Sequence, residues 1–568
     1  MKAASLLLVF ALAKVTVLAG HNVPFSWWSP IAWFWQDAVV VLAFAAIEFC
    51  LGRRQRIAWA IYAALALYAI VNIPVGRALS TPLTWPMWRA ARGALSDSMW
   101  HYATWQNVLL LGSILAVAAL APRLFRRMPQ RPLVAALALC AALGPAASAR
   151  VDTLGLERNA WTALIASALP RMQSRASAKD WRATNLHSAP PEDLSRFRGI
   201  AAGRNIVLVS LESTAAQYLG LYGNDPDVMP NLSELARTAI VFDNAYAVYP
   251  ESIKGLFSIL CSAYPAFDTS AEEYAAVPCR PVAGILSGAG YRTGLFHSGR
   301  FSYLGMEAII RNRGFDTLED AGDIGGNHNS SFGVDEPSTV ARILSWVDGL
   351  PKGQRFFVTW LPIAGHHPYE TPDPGPFPEH DEFGRYRNAL HYADASLGTL
   401  MRGLDRNTLW IVLGDHGEAF GQHEGNYGHT FQVYEENVRV PFLVAAPGLV
   451  TQQVRGRRVV SLIDTAPTLL DVAGLQVPES YHGRSMLEPG QRMALFYADY
   501  SLGMLGLRDG PWKFIYELES GRSKLFDVEK DPQEKLDLSE RHVEQARGYT
   551  QDLRSWSAAQ KQLLRAAK

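Results

Sequence analysis

Beyond residue 200, four strand-like runs of this sequence end in side chains that bind metals or move protons. NIVLVSL, residues 205–211, is followed at once by Glu212. RTGLF is followed by His297, FFVTWL by a short loop bearing His366 and His367, and LWIVLG by Asp415 and His416. Carboxylates and imidazoles of this kind suit a divalent cation or acid–base work. One such ending means little. Four delivered to a single sheet edge point to an active site.

A nucleophile is needed as well. The segment Tyr249-Pro250-Glu251-Ser252-Ile253-Lys254-Gly255-Leu256 leads into a helical run ending near Cys261. Ser252 sits where that helix begins, and an N-cap role suits it best on this segment alone. A helix N-terminus is also an anion site, because its free N–H groups point outward. Lys254 adds positive charge there. A serine held on a divalent cation could ionise near neutral pH and attack phosphorus.

Strands must carry these residues to one place. The runs are apolar and β-branched, as strands buried on both faces are. In open α/β sheets, ligands sit outside the carboxyl ends of such strands. From residue 199 the runs alternate with helical patterns, which argues for a doubly wound α/β domain. Helices are expected from Pro230 through Arg237, from Pro281 to Ala289, from Val340 to Leu350 and from Ile463 to Ala473.

The 568 residues exceed one domain, and net charge is zero, so nothing argues for a nucleic-acid partner. The first 150 residues are dominated by Ala, Leu, Val, Ile and Trp. Apolar runs near residues 3–19, 31–51, 57–75, 106–122 and 132–149 predict a five-helix transmembrane domain, each run matching or approaching ~30 Å of hydrocarbon. Arg53, Arg54 and Arg56, and then Arg123, Arg126, Arg127 and Arg131, place two short loops in the cytoplasm. The N-terminus is then inside, and everything after residue 150 outside. Trp27, Trp28, Trp85, Trp88, Trp100 and Trp105 fall in the opposite loops, as an interfacial belt would. The first run could instead be a signal peptide, with the same outcome for the large domain. Lys14 is expected to snorkel and Asp37 to sit at the interface. Residues 151–198 form a juxtamembrane connector, helical from Leu154 to Met172 and broken at Ala189-Pro190-Pro191. Residues 199–568 form the external domain.

Cys50 and Cys140 lie in apolar spans and read as filler. Cys261 and Cys279 lie in the external segment, where a disulfide can persist. No second pair accompanies them, which disfavours a zinc–thiolate site.

The external segment, over roughly residues 203–535, resembles the sulfatase family of the alkaline phosphatase superfamily. NIVLVSLEST…MPNLSELARTAIVFDNAYA, GYRTGLFHSG, HHPYETP, LGDHGEAFGQHE, IDTAPTLLDVAGL and KLFDVEKDPQEKLDLS are similar to its successive blocks. The resemblance implies an external α/β domain of alkaline phosphatase-like (sulfatase) fold. True sulfatases carry Cys-x-Pro-x-Arg at the nucleophile, whereas Ser252-Ile253-Lys254-Gly255-Leu256 lacks the Pro and Arg. SIKGL and the following Tyr264-Pro265 look more like lipoteichoic acid synthases and osmoregulated-glucan phosphoglycerol transferases, which use Thr here and join membrane spans to an external enzyme domain. Cys261 and Cys279 look like a disulfide pair of the latter.

By resemblance, Glu212, Ser252, Asp415 and His416 are the metal ligands, and Ser252 the nucleophile. The donor set narrows the ion toward Mn²⁺ or Zn²⁺, with Mg²⁺ or Ca²⁺ as alternatives. His366 and His429 suit catalysis or phosphate binding, with Lys254 and His297 weaker members of the same pocket. His367, His391 and His423 read as ordinary hydrogen-bonded residues, and Glu418 as an orienting partner of His416 or a surface residue. The resemblance implies transfer of phosphoglycerol or phosphoethanolamine from a phospholipid to an envelope glycan or lipid, at the outer face of a bacterial inner membrane. The rivals are a membrane-bound sulfatase or phosphodiester hydrolase, and a non-catalytic lipid sensor.

Overall fold

The computed structural model describes every residue except 1, 24, 91–102, 170–179, 185, 187–192, 328–331 and 567–568. Trp100, Met172 and Ala189-Pro190-Pro191 lie outside the described residues. By its internal contacts the chain divides into two units. One comprises Met1–Arg171, Gly421–Tyr427 and Tyr500–Leu502, and the other Met172–Phe420, Gly428–Asp499 and Gly503–Lys568.

In the first unit the apolar runs form helices α1 (Lys2–Leu18), α2 (Ser29–Leu51), α3 (Gln55–Leu79), α4 (Trp105–Leu124) and α5 (Gln130–Ser148). Among the described residues, four helices are long and apolar enough to cross a membrane: α2, α3, α5 and the helical stretch beginning with α4. α1 is shorter, at 17 residues. All five contribute to one apolar cluster, which includes Phe10, Phe44, Tyr62, Ile114 and Leu137.

Two polar residues depart from expectation. Neither Lys14 nor Asp37 is exposed to solvent. Both are buried, and the Lys14 ammonium lies 3.1 Å from the Asp37 carboxylate. Lys14 also donates to the carbonyls of Glu157 (2.7 Å) and Arg158 (3.1 Å), and Asn159 donates to Asp37 at 2.6 Å. A buried charge needs such partners. The connector helix α6 (Ala160–Ala168) starts later than Leu154. Leu154 and Gly155 have φ of 53° and 80°, outside the helical region, and Asn159 supplies the cap by accepting from Trp161 N.

The second unit is built on a nine-stranded sheet. Its long strands are β1 (Asn205–Leu211), β2 (Ala239–Tyr246), β3 (Arg292–His297), β4 (Thr317–Glu319), β5 (Phe356–Leu361), β6 (Thr408–Gly414), β7 (Phe442–Ala445) and β8 (Val454–Ser461), in the order β8-β2-β7-β6-β1-β5-β3-β4. From β6 to β4 every pairing is parallel, whereas β7 runs antiparallel to both neighbours. β1 is central and apolar throughout because both its faces are covered. Ile206 and Leu208 join an apolar cluster with Ile253, Leu256 and Phe257 of helix α7 (Ser252–Cys261). Val207, Val209 and Leu211 join another with Tyr386, Ala389 and Leu390 of helix Glu382–Gly403. Alternation of side chains along the strand produces the two sets. The helix expected from Val340 begins earlier, as α8 (Glu336–Asp348), because Asp335 caps it by accepting from Ser338 N at 2.9 Å.

α7 is anchored at its far end. Cys261, its last residue, is disulfide-bonded to Cys279 with 5.7 Å between Cα atoms. The bond spans 18 residues, which in the chain-entropy account contributes about 3 kcal/mol. Replacing Cys279 by Ser should lower the thermal midpoint of the catalytic unit measurably, and reductant should do the same to the unaltered protein. An unchanged midpoint in both would show that the bond carries no stability.

Candidate active site

Strand register brings the site together. Leu211 of β1 pairs with Gly414 of β6, so the next residues, Glu212 and Asp415, leave the sheet edge side by side. The Asp415 amide still donates to the Leu211 carbonyl at 3.0 Å. The turn after Glu212 is held open by Ser213, at φ 52°. Its amide donates to Asp415 Oδ1 (3.0 Å), and its carbonyl accepts from the Tyr386 hydroxyl (2.7 Å).

Ser252 completes the cluster. It is the first residue of α7, and the cap is Glu251, whose carboxylate accepts from Ile253 N at 3.3 Å. The N-cap role expected for Ser252 is therefore filled by its neighbour. The freed Ser252 hydroxyl donates to Glu212 Oε2 at 2.7 Å and lies 3.3 Å from His416 Nε2. His416 Nε2 is 3.5 Å from Glu212 and 3.6 Å from Asp415. His416 Nδ1 meets the Gly417 carbonyl at 3.0 Å, which places the proton on Nδ1 and leaves the Nε2 lone pair facing the cluster.

These donors fit a divalent ion. One ligand atom each from Glu212, Asp415 and His416 lie within 4.8 Å of one another, and all three residues are buried. Burial pushes Asp415 up to about 7; His416 opposes the rise and the Glu212 charge reinforces it. Burial works the same way on Glu212, but the imidazoles of His416, His366 and His429 outweigh it and hold that carboxyl down at about 2. Two buried carboxylates competing for one proton are the pair a divalent cation would relieve.

The histidines flank this cluster. The His429 ring stacks at 4.3 Å from His416, and His366 lies 6.1 Å from His429. Glu418, expected beside His416, instead holds His429 Nδ1 at 2.6 Å. Its other oxygen accepts from the Tyr369 hydroxyl at 2.7 Å. Burial opposes protonation of His429, yet Glu418 and the two metal-site carboxylates raise it to about 9. Burial lowers His366, whose Nδ1 is 2.6 Å from the His367 carbonyl. His297 closes β3 at the same edge, its Nδ1 3.0 Å from the Leu361 carbonyl, and burial lowers it too. His391 meets the Val228 carbonyl at 3.2 Å, away from this group.

Lys254 corrects an expectation. Its ammonium is buried against Asp499 at 2.7 Å, beneath the Tyr249 ring at 4.6 Å, and is not offered to a substrate. Asp499 also accepts from the Tyr249 hydroxyl at 2.6 Å. Tyr369, Ser213 and Asp499 were not singled out from sequence. Tyr369 carried a signal through its place in the HHPYETP block and Ser213 through NIVLVSLEST, whereas Asp499 carried none.

The fold and these side chains define a class. Residues 204–475 match the sulfatase family model, and residues 422–554 match the C-terminal model of N-sulphoglucosamine sulphohydrolase. Residues 204–475, just under half of the chain, are thus similar to the sulfatase family, a family of metal-dependent enzymes. Lipoteichoic acid synthase-like YvgJ of Bacillus subtilis is 23% identical over 312 residues, covering 50% of this chain and 49% of that protein. Arylsulfatase K of Canis lupus familiaris is 30% identical over 257 residues, covering 38% and 46%. The chain thus spans about half the length of these curated relatives. A crystal structure of an alkaline phosphatase superfamily protein from Vibrio parahaemolyticus superposes with a TM-score of 0.54 at 21% identity, over 65% of this chain and 89% of that one. Among the described residues, four helices long and apolar enough to cross a membrane precede this domain.

Two outcomes are expected. Asp415→Ala should lose bound metal and activity together in elemental analysis and assay; full metal content at unaltered affinity would sink the ligand assignment. In metal-stripped protein, His429 carries a pKa raised from 6.5 to about 9. Its stabilising charge is fully present below pH 6.5 and is lost as pH rises through 9. The thermal midpoint should fall across that window, and less so in His429→Gln.

Proposed function

We propose that the chain transfers a phospholipid headgroup, phosphoglycerol or phosphoethanolamine, to a cell-envelope glycan or lipid through a phosphoserine on Ser252. The observation that carries this reading is the uncapped Ser252 hydroxyl, 2.7 Å from Glu212 and 3.3 Å from His416 Nε2 at a helix N-terminus. The absence of Pro and Arg from SIKGL argues against conversion to formylglycine.

Glu212, Ser252, Asp415 and His416 would hold one divalent ion, Mn²⁺ or Zn²⁺ ahead of Mg²⁺ or Ca²⁺. When bound, such an ion supplies positive charge that favours the serine alkoxide and offsets charge on the phosphate oxygens. Ser252 Oγ gives its proton to Glu212 Oε2, its hydrogen-bond acceptor at 2.7 Å, and attacks phosphorus. The bond from phosphorus to the diacylglycerol oxygen breaks, and the departing alkoxide takes a proton from His429, with His366 binding the phosphate oxygens. An alcohol of the acceptor then attacks the phosphoserine, loses its own proton to the same histidine, and releases Ser252, whose Oγ takes back its proton from Glu212.

In this reading residues 1–150 are the transmembrane domain, 151–198 the connector and 199–568 the catalytic domain, outside the cytoplasmic membrane. The arginine-rich loops support that orientation. A lipid donor gives the spans a purpose, since its phosphodiester lies at the membrane surface. A second reading, a membrane-anchored sulfatase or phosphodiester hydrolase, is favoured by the two sulfatase-type family models and the arylsulfatase relative.

Ser252→Ala should leave stability intact, because Glu251 and not Ser252 caps the helix, and should cut turnover by several orders of magnitude. Ser252→Thr should keep partial activity. Peptide mass spectrometry of acid-quenched protein with phospholipid present should find phosphate on Ser252. Formylglycine at residue 252 would establish the sulfatase reading instead, and a fully active Ala variant would remove Ser252 from the mechanism.

A further inference from the structure

Glu336 lies outside every motif that pointed to the site, yet it is 1% exposed and has its carboxylate between two of the catalytic strand ends. It opens α8. One oxygen accepts from the amides of Ile363 (2.7 Å) and Ala364 (3.0 Å), in the loop that leaves β5 for His366. The other accepts from the hydroxyl of Ser298 at 2.5 Å, the residue after His297 at the end of β3. Ser298 Oγ also lies 3.0 Å from the Thr339 hydroxyl in the same pocket. The tie continues along the backbone. Ser298 N donates to the Leu361 carbonyl at 3.0 Å, Val334 N to the Ser298 carbonyl at 2.8 Å, and His366 N to the Ile363 carbonyl at 2.9 Å.

A carboxylate has no need to be buried for packing alone, and burial pushes this one up to about 7. What it does satisfy is two amides that leave a strand and have no ladder partner. Those amides begin the turn whose last residue is His366. The His366 Nδ1 meets the neighbouring His367 carbonyl, and its ring contacts Phe332 at 4.6 Å and Tyr303 at 5.9 Å.

We propose that Glu336 is a positioning residue for His366, fixing the β5 loop so that the imidazole faces the Ser252 cluster. The proposal rests on the assignment of His366 to phosphate binding. Glu336→Gln keeps a carbonyl oxygen for the Ile363 and Ala364 amides and should retain most of the turnover. Glu336→Ala leaves both amides unpaired. A loop shift of about 1 Å costs on the order of 10²-fold in kcat, with KM changed far less.

The test uses the full chain in detergent with Mn²⁺ and bis(4-nitrophenyl) phosphate. In a double-mutant cycle, Glu336→Ala should cost nothing further once His366 is Ala, because both act through one imidazole. Equal losses in the two backgrounds would overturn the proposal and leave Glu336 a general stability residue. Hydrogen exchange of the peptide spanning residues 361–369 reports on the tie without any turnover. It should quicken in Glu336→Ala, stay slow in Glu336→Gln, and leave the rest of the sheet protected. Unchanged exchange in Glu336→Ala would overturn the tie. No turnover by the unaltered protein would count against the phosphodiester reading, with the exchange result still deciding whether Glu336 holds the loop.

Discussion

The parallel register of β1 with β6 is the constraint on which the site depends. Because Leu211 pairs with Gly414, two acidic side chains emerge from neighbouring strands at one level, with His416 next in line. Such a pair is costly in a buried setting, since like charges without a counter-ion push a proton onto one of them. The strands are fixed by apolar packing on both faces, so the carboxylates cannot drift apart to relieve the repulsion. The sheet is thus paid to hold an electrostatic conflict that a divalent ion resolves. Ser252 enters the same space from a helix packed on one face of that sheet, and its hydroxyl settles on Glu212.

Positive charge is managed as carefully as negative. The cation nearest the nucleophile in sequence, Lys254, is turned away and neutralised by Asp499. The charge that does face the cluster is carried by imidazoles, whose protonation depends on their partners. His429 keeps its proton because Glu418 is beside it, whereas burial favours neutral His366 and His297. One protonated and two neutral imidazoles give the site a proton donor and proton acceptors without a fixed cation competing with the metal.

The sheet edge was legible in sequence because each strand stops abruptly at a functional side chain. An apolar run ending in Glu212 or Asp415 can be read without a structure, and the apolar helices could be read from length. Helix starts were harder. Ser252 looked like a cap because serine caps well, but the preceding Glu251 takes that position through its own backbone turn. Partners distant in the chain left no trace at all. Lys254 and Asp499 are 245 residues apart, so nothing local marks them as an ion pair. Glu418 illustrates the same limit at short range. Its spacing from His416 suggested one histidine, and the fold brings it to another, His429, across a loop.

The Lys14–Asp37 pair bears on how the first unit is made. Lys14 lies on α1 and Asp37 on α2, so the lysine leaves the ribosome well before its counter-charge. An unpaired lysine costs up to roughly 2.5–3.5 kcal/mol at the centre of a spanning helix on insertion scales, and less near an end, where Lys14 lies about one turn from the close of α1. α1 by itself is therefore a poor candidate for release into lipid. Joined to α2 as a hairpin, it brings a neutral pair. The charge of Lys14 is cancelled once α2 lies beside α1, which makes the first helix dependent on the second.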